Sequence, residues 1–278
     1  MQEILETLEH RLQLTQVGTD RFIGQAPGAP VRMYGGELAA QALAAANATV
    51  GDDRVPHSLQ CVFLSGGDPA NDLEHEVLRV RDGRSFSTRQ VQVHNDGRLA
   101  LTATVGYHVP EDSFAHQLQM TKVPRPQELS GISDAHGTAW TAWATRNPEL
   151  EMRVVAPDIA DPVGRRRFWW RIRSDKPADA LLQTTLATYA SDFTMIASIR
   201  LPHEPPDHKT YLLTTLTHNV YFHRPFEASA WNFVEHWSPV AAGGRGLTIA
   251  HNYNAEGVLV MSAVQEALIR PLPPDYQA

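Results

Sequence analysis

Cysteine is almost absent from this chain of 278 residues, which contains only Cys61. A lone cysteine cannot form an intramolecular disulfide, so a reducing compartment is favoured. Basic residues are outnumbered, 24 against 31 acidic residues, and the net charge of −7 argues against a nucleic-acid-binding surface. No apolar run is long enough to cross a membrane, and the acidic N-terminal residues are unlike a signal peptide. We therefore expect a cytoplasmic protein that binds neither nucleic acid nor a membrane.

The residue patterns of two common kinds of catalytic site are also absent. No G-x-S-x-G turn is present to expose a nucleophilic serine. Cys61 falls within an alternating strand pattern, which predicts a core residue rather than a nucleophile. His203 and His208 lie in a Pro-rich stretch without a zinc-binding helix motif. We expect no metal and no cofactor.

What the sequence does contain is a pattern that occurs twice. Residues 34–50 are rich in alanine and predict a helix that neighbouring elements approach closely. Several strand-like runs separated by turn signals follow it. Residues 178–198 predict a second helix, again followed by strand-like runs, and His57 aligns with His218 between the halves. One repeat of this length indicates a duplicated domain.

The order of elements predicts the fold class. A long apolar helix followed by antiparallel strands indicates an α+β layer in which the sheet covers the helix, the hotdog arrangement. Two copies make a double hotdog, with predicted domains at residues 1–110 and 151–278 and a polar linker at 111–150. Trp140 and Trp143 in the linker indicate that it packs on a domain. Sheets of this kind have edges that need protection, so we expect a homo-oligomer, a dimer or higher.

A glutamine interrupts the most apolar strand candidate, residues 257–269. Gln265 shares one strand face with five apolar residues, Leu259, Met261, Ala263, Ala267 and Ile269. If it is buried there, its amide needs partners, because an unpaired amide costs about 1–3 kcal/mol. Its amide could donate to a carboxylate or oxyanion and accept from a water molecule. The alternative is a structural amide bonded to the backbone.

Six segments resemble the acyl-CoA thioesterase II family: VRMYGGELAAQALAAA, HSLQCVFLSGGD, RDGRSFSTRQV, ATYASDF, THNVYFHRPF and GVLVMSAVQEALIR. They occur in order and cover nearly the whole chain except the linker. The resemblance implies a double-hotdog hydrolase that cleaves acyl-CoA to a free fatty acid and CoA. It also implies a water molecule positioned by an aspartate, a threonine and a glutamine, which carry over to Asp192, Thr215 and Gln265.

The sequence departs from the family pattern beside these residues. Thr217-His218 stands where the family has Asp-His, and Gly243-Gly244 replaces a small polar pair. Thr214 and Thr217 stay open as alternatives to Thr215. These departures also leave open a non-catalytic acyl-CoA-binding or sensing protein of the same fold. An enoyl-CoA hydratase would need a histidine soon after the aspartate, and residues 190–198 contain none.

The residue types suit the implied chemistry. Asp192 falls on the border of the apolar face of its predicted helix, where a partly desolvated carboxylate could act as a general base or water anchor. The alternative is that Asp192 is an ordinary polar residue on a solvated helix edge. Thr215 could fix the same water or orient Asp192, or could be an ordinary β-branched strand residue. Without a serine or cysteine nucleophile, water is the simplest nucleophile.

Two further segments are candidates for substrate contacts. Gly35 and Gly36, at a helix start, could expose backbone N–H groups to a thioester oxyanion or a phosphate, or could permit close helix–sheet packing. Arg165, Arg166 and Arg167, beside two tryptophans, could contact CoA phosphates, although a solvated surface with one aromatic turned inward is favoured.

Overall fold

The computed structural model describes residues 8–26, 33–131, 147–156, 161–173, 179–203 and 211–272. The described helices are α1 (Leu8–Arg11), α2 (Gly35–Asn47), α3 (Ala180–Ser191) and α4 (Met195–Arg200). The described strands are β1 (Leu14–Gly18), β2 (Arg21–Gly24), β3 (Val55–Phe63), β4 (Leu73–Asp82), β5 (Phe86–Asn95), β6 (Arg98–His108), β7 (Leu150–Val155), β8 (Arg166–Ile172), β9 (Tyr211–Phe222), β10 (Asn232–Ala242), β11 (Arg245–Asn254) and β12 (Leu259–Pro271).

These strands form one antiparallel sheet in the order β1-β2-β4-β5-β6-β3-β9-β12-β11-β10-β8-β7. The second half of this order mirrors the first, and the halves join where β3 pairs with β9. Gln60 pairs with Asn219 at the centre of this junction, and two further pairs extend on each side, to Ser58–Tyr221 and to Val62–Thr217. A pseudo-twofold axis at that pair makes His57 equivalent to Leu216, and each of these two residues forms a β-bulge in its strand. The predicted alignment of His57 with His218 was therefore wrong by two residues, because it matched residue type rather than strand register.

Helices α2 and α3 pack against each other inside the sheet. Helix α2 is lined by fully buried alanines, Ala39, Ala40, Ala42, Ala45 and Ala46. Small side chains let the second helix and the strands come close, as expected from the composition of the segment. The predicted α+β double hotdog is confirmed. None of the described helices combines the length and apolar character of a membrane span.

The structure corrects the prediction of one helix over residues 178–198. Helix α3 ends at Ser191 and α4 begins at Met195. The break occurs because Thr194 adopts the left-handed backbone region, with φ of 68° and ψ of −3°. Periodicity cannot reveal such a break, since apolar residues continue through it.

The arginine-rich segment is a strand rather than a solvated surface. Arg166 and Arg167 begin β8, and Trp169 and Trp170 point to opposite faces, yet they are only 0% and 3% exposed. The expectation of a single inward aromatic was therefore wrong, because both faces of the sheet are covered at this strand.

The cover on the outer face comes from the predicted linker. Met120, Val123 and Leu129 pack against a cluster that includes Trp169, and the Trp169 indole donates a hydrogen bond of 2.9 Å to the carbonyl of Pro124. The described part of the linker thus packs on a domain. The two tryptophans of the linker, at 140 and 143, lie outside the described residues. The bounds of the N-terminal domain (1–110), the linker (111–150) and the C-terminal domain (151–278) stay predictions.

Acid is expected to destabilise the fold through His75, which is buried in β4. Burial lowers its pKa from 6.5 to about 4, so the folded state favours the neutral ring. The associated stability is complete above pH 6.5 and is lost as the pH falls from 6.5 to 4, by about 2 kcal/mol between pH 7 and pH 5.

Urea unfolding at the two pH values measures this effect. In a His75→Gln variant the difference in unfolding free energy between pH 7 and pH 5 should shrink by about 2 kcal/mol. An unchanged difference would show that other groups cause the acid sensitivity.

Candidate active site

Asp192 follows the last residue of α3 and faces the beginning of α2. Its Oδ2 accepts a hydrogen bond of 2.9 Å from the backbone N–H of Gly36, and the residue is 9% exposed. A carboxylate is disfavoured at the C-terminal end of its own helix, but the positive N-terminal end of α2 offsets this. The structure therefore holds a nearly buried carboxylate between two helix ends, one from each half of the chain.

Thr215 and Gln265 reach the same place from neighbouring strands, β9 and β12. The Thr215 hydroxyl donates to Asp192 Oδ1 at 3.3 Å, and Gln265 Nε2 donates to Thr215 Oγ1 at 3.1 Å. Thr215 is thus the common neighbour of the other two. The three residues carried over from the family resemblance form one continuous hydrogen-bonded chain.

The geometry distinguishes among the three threonines of β9. Thr214 is exposed and Thr217 is half-buried, and within the described residues neither donates a hydrogen bond to Asp192. Alternation along the strand turns Thr214 away from Thr215. Thr215 is the threonine that contacts the carboxylate.

Gln265 is fully buried, and only half of its amide is satisfied. Its Nε2 donates to Thr215, whereas its Oε1 has no partner in hydrogen-bond geometry among the described residues. The structural alternative, an amide tied to the backbone, does not fit, because the hydrogen bond that Gln265 donates goes to a side chain, Thr215. The buried oxygen is an acceptor with unused capacity beside the carboxylate.

His218 lies opposite Gln265 in the β9–β12 pairing, next to the site. Its Nε2 lies 2.7 Å from the hydroxyl of Ser191, the residue before Asp192. Burial lowers the pKa of His218, and the charge of Asp192 and the amide of Gln265 oppose that shift. The ring is thus neutral at pH 7. The sequence indicated His218 only through its alignment with the first half, which gave no role.

The two predicted glycines have different roles in the structure. A Cβ on Gly36 would lie 2.5 Å from the carbonyl oxygen of Tyr189 and 2.6 Å from the ring of Tyr34, so glycine is required where α2 crosses α3. The contact is helix to helix, not helix to sheet as predicted. The Gly36 N–H is used by Asp192, whereas Gly35 lines the adjacent cavity.

A cavity of about 710 Å³ opens beside Asp192 and Thr215. Most of its lining is apolar and comes from both halves: Met33, Tyr34, Leu38, Phe63, Leu64, Phe193, Ile196, Leu212, Leu213 and Leu216. Gln265 lies behind this wall. The sequence did not identify these lining residues, because their strands and turns meet only in the folded chain. An apolar cavity with one polar spot suits a long apolar group that ends in a reactive carbonyl.

The other candidates lie away from this site. Cys61 belongs to the core, as predicted, and burial raises the pKa of its thiol. Arg167 pairs with Glu235, and neither Arg165 nor Arg166 appears among the described residues that line the cavity. Over the described parts of the chain, no cluster of three or more His, Cys, Asp or Glu side chains could hold a metal ion. Of the two histidines in the Pro-rich stretch, His203 and His208, the second lies outside the described residues.

Comparisons with known proteins agree with the geometry. A family model described as the acyl-CoA thioesterase N-terminal domain matches residues 25–108, and one described as the C-terminal domain matches residues 122–269. Human acyl-coenzyme A thioesterase 8 is 31% identical, over 94% of this chain and 88% of its own length. Acyl-CoA thioesterase 2 of Haemophilus influenzae is 30% identical, over 97% and 99%. The crystal structure of acyl-CoA thioesterase II TesB2 from Mycobacterium marinum has a TM-score of 0.82 at 28% identity, covering 97% and 99%.

Proposed function

Because the chain belongs to the acyl-CoA thioesterase family and is a thioester hydrolase, we propose that it cleaves acyl-CoA with a water molecule held by Asp192, Thr215 and Gln265. The observation that carries this proposal is the hydrogen-bonded chain from Gln265 through Thr215 to Asp192 at the edge of an apolar cavity.

The arrangement of donors and acceptors supports a water molecule as the nucleophile. The Thr215 proton is directed to Asp192, so the carboxylate and Oε1 of Gln265, each with more than one lone pair, can both accept a further hydrogen bond. A water molecule can donate one proton to each of them, which leaves a lone pair directed at a carbonyl carbon. Such an orientation lowers the entropic cost of the attack.

The reaction then balances with Asp192 as general base. Asp192 takes one water proton while the water oxygen forms a bond to the thioester carbon, and the carbonyl electrons move to the oxygen. When the tetrahedral intermediate collapses, the C–S bond breaks, and the departing thiolate receives the proton from Asp192. The products are the fatty acid and CoA with a free thiol.

Gly35 is the proposed oxyanion contact. The first N–H groups of a helix have no partner inside it, and the one on Gly36 is bound to Asp192. Gly35 precedes it in the first turn and lines the cavity, so its N–H is placed to stabilise the developing negative charge. The acyl chain would occupy the apolar part of the same cavity.

Replacing Gln265 with methionine tests the role of the amide. Methionine keeps the length of the side chain but removes both polar groups, so kcat should fall about 10²–10³-fold. Stability should hold or rise, because the unpartnered buried oxygen disappears. Thiol release from acyl-CoA and thermal unfolding measure the two effects.

Gln92→Met is the matched control, since Gln92 is exposed on β5. It should retain wild-type turnover. A Gln265→Met protein that unfolds more easily and hydrolyses at the wild-type rate would identify a purely structural amide.

Acyl-CoAs from short to long chains in the same assay would define the substrate range. Thiol release separates hydrolysis from non-catalytic binding, and formation of 3-hydroxyacyl-CoA from an enoyl-CoA would instead reveal hydration.

We also propose a cytoplasmic location, in keeping with the single buried cysteine, and a homo-oligomer that protects the edge strands β1 and β7. Sedimentation measures the oligomeric state.

A further inference from the structure

The turn that follows Asp192 contains an unusual backbone conformation. Thr194 adopts φ of 68°, in the left-handed region. A β-branched residue is rarely found there, because its side chain crowds the backbone. Strain of this kind persists only where surrounding contacts impose it, and it concentrates at functional sites. Thr194 also lines the cavity, two residues beyond the carboxylate.

The side chain of Thr194 contacts His236 on β10. The Thr194 hydroxyl lies 2.8 Å from His236 Nε2, and His236 Nδ1 lies 2.6 Å from the hydroxyl of Ser198 in α4. The imidazole is 1% exposed, and its ring packs at 80° to the Phe168 ring, with a centroid distance of 5.4 Å. One ring nitrogen therefore contacts the turn between α3 and α4, and the other contacts α4 itself.

The protonation state of His236 suits this role. Burial, with a smaller contribution from the charge of Arg166, lowers the pKa of His236 to about 3. The ring is neutral under assay conditions, so it carries one N–H and one lone pair. One hydroxyl must donate to the ring and the other must accept from it. The two hydrogen bonds of the ring therefore run in opposite directions in either tautomer.

Further contacts extend the support to the start of α4. The Thr248 hydroxyl donates to the carbonyl of Met195 at 2.9 Å, and the N–H of Ala197 donates to the carbonyl of Thr194 at 3.0 Å. The turn is thus held at Thr194 and on its C-terminal side, whereas Asp192, at its N-terminal end, is held through Gly36 and Thr215. A change in the turn would move the carboxylate relative to its partners.

We propose that Thr194 and His236 are positioning residues that hold the left-handed turn between α3 and α4 and thereby place the Asp192 carboxylate for the reaction. This inference rests on the proposed function of Asp192. Neither residue exchanges protons with the substrate. Their effect is on geometry, and a displacement of about 1 Å in a reacting group can cost 10²-fold in rate.

Three substitutions of Thr194 test the proposal. Thr194→Val keeps the branched side chain but loses the hydroxyl, so kcat should fall about 10- to 100-fold with KM within about twofold of wild type. Thr194→Ser keeps the hydroxyl and should restore kcat to within about threefold. Thr194→Gly loses the hydroxyl but accepts a positive φ without strain, so its Tm should equal or exceed that of wild type while its kcat stays as low as that of the valine variant.

The control is Thr184→Val, which removes a threonine hydroxyl of α3 that donates to the Leu181 carbonyl of its own helix and has no other hydrogen bond within the described ranges. It should keep wild-type kcat. Wild-type kcat in Thr194→Val or Thr194→Gly, or failure of the serine variant to restore activity, would overturn the positioning role. A merely structural role predicts a glycine variant that is both stable and fully active. Should Asp192→Asn retain full activity, the proposed function itself would fail, which is a separate result.

Discussion

Asp192→Asn lowers kcat about 10²–10⁴-fold and leaves the protein folded. The amide cannot take a proton from water, so the general base is lost. The fold tolerates the change because the asparagine oxygen can accept from Gly36, and its Nδ2 can donate to Thr215 Oγ1, whose hydroxyl rotates. Steady-state thiol release and thermal unfolding, measured on the same preparation, separate the two effects.

Asp179→Asn provides the matched control for this change. Asp179 caps the N-terminus of the same helix, where its carboxylate accepts from the N–H of Leu182 at 2.8 Å. Asparagine caps a helix about as well as aspartate, so both activity and stability should be kept. Wild-type turnover in a folded Asp192→Asn protein would remove Asp192 from the mechanism.

Gly36→Ala should reduce both stability and activity. The added Cβ would lie 2.5 Å from the Tyr189 carbonyl oxygen, which belongs to the backbone of α3 and cannot rotate away. Separating α2 from α3 costs at least about 1–3 kcal/mol, as in other overpacked cores. It also lengthens the hydrogen bond from Gly36 to Asp192, so kcat should fall about 10²-fold even in the folded fraction.

Gly18→Ala tests whether any added methyl group has this effect. A Cβ on Gly18 would meet its nearest neighbour, the Arg21 side chain, at 3.7 Å, an ordinary contact. This variant should match wild type in urea unfolding and turnover. If Gly36→Ala lost stability but kept its kcat per folded molecule, the hydrogen bond to Asp192 would be unimportant for the reaction.

Much of the fold was accessible from local patterns. The alternation along residues 257–269 placed Gln265 on a buried face, and the alanines of residues 34–50 predicted a crowded helix; both predictions are confirmed. Strands β1 and β2 were missed because they are short, and four of the five residues of β1 are exposed, so no apolar alternation marks them. Edge strands carry little of the signal that identifies central ones.

The candidate site was predictable in its residue types but not in its connections. Resemblance supplied Asp192, Thr215 and Gln265, yet only the β9–β12 register shows that Thr215 lies between the other two. The bond from Gly36 to Asp192 joins the two halves and depends on how α2 crosses α3. The left-handed turn at Thr194 depends on a histidine far along the chain, and no local pattern contains that contact.

Single-turnover hydrolysis in H₂¹⁸O, with enzyme in excess over acyl-CoA, tests direct attack by water most directly. If the water held by Asp192, Thr215 and Gln265 attacks the carbonyl, the fatty acid from the first turnover carries one ¹⁸O and the Asp192 carboxylate carries none. An unlabelled fatty acid, or ¹⁸O in the peptide that contains Asp192, would instead show that the carboxylate itself attacks and forms an anhydride.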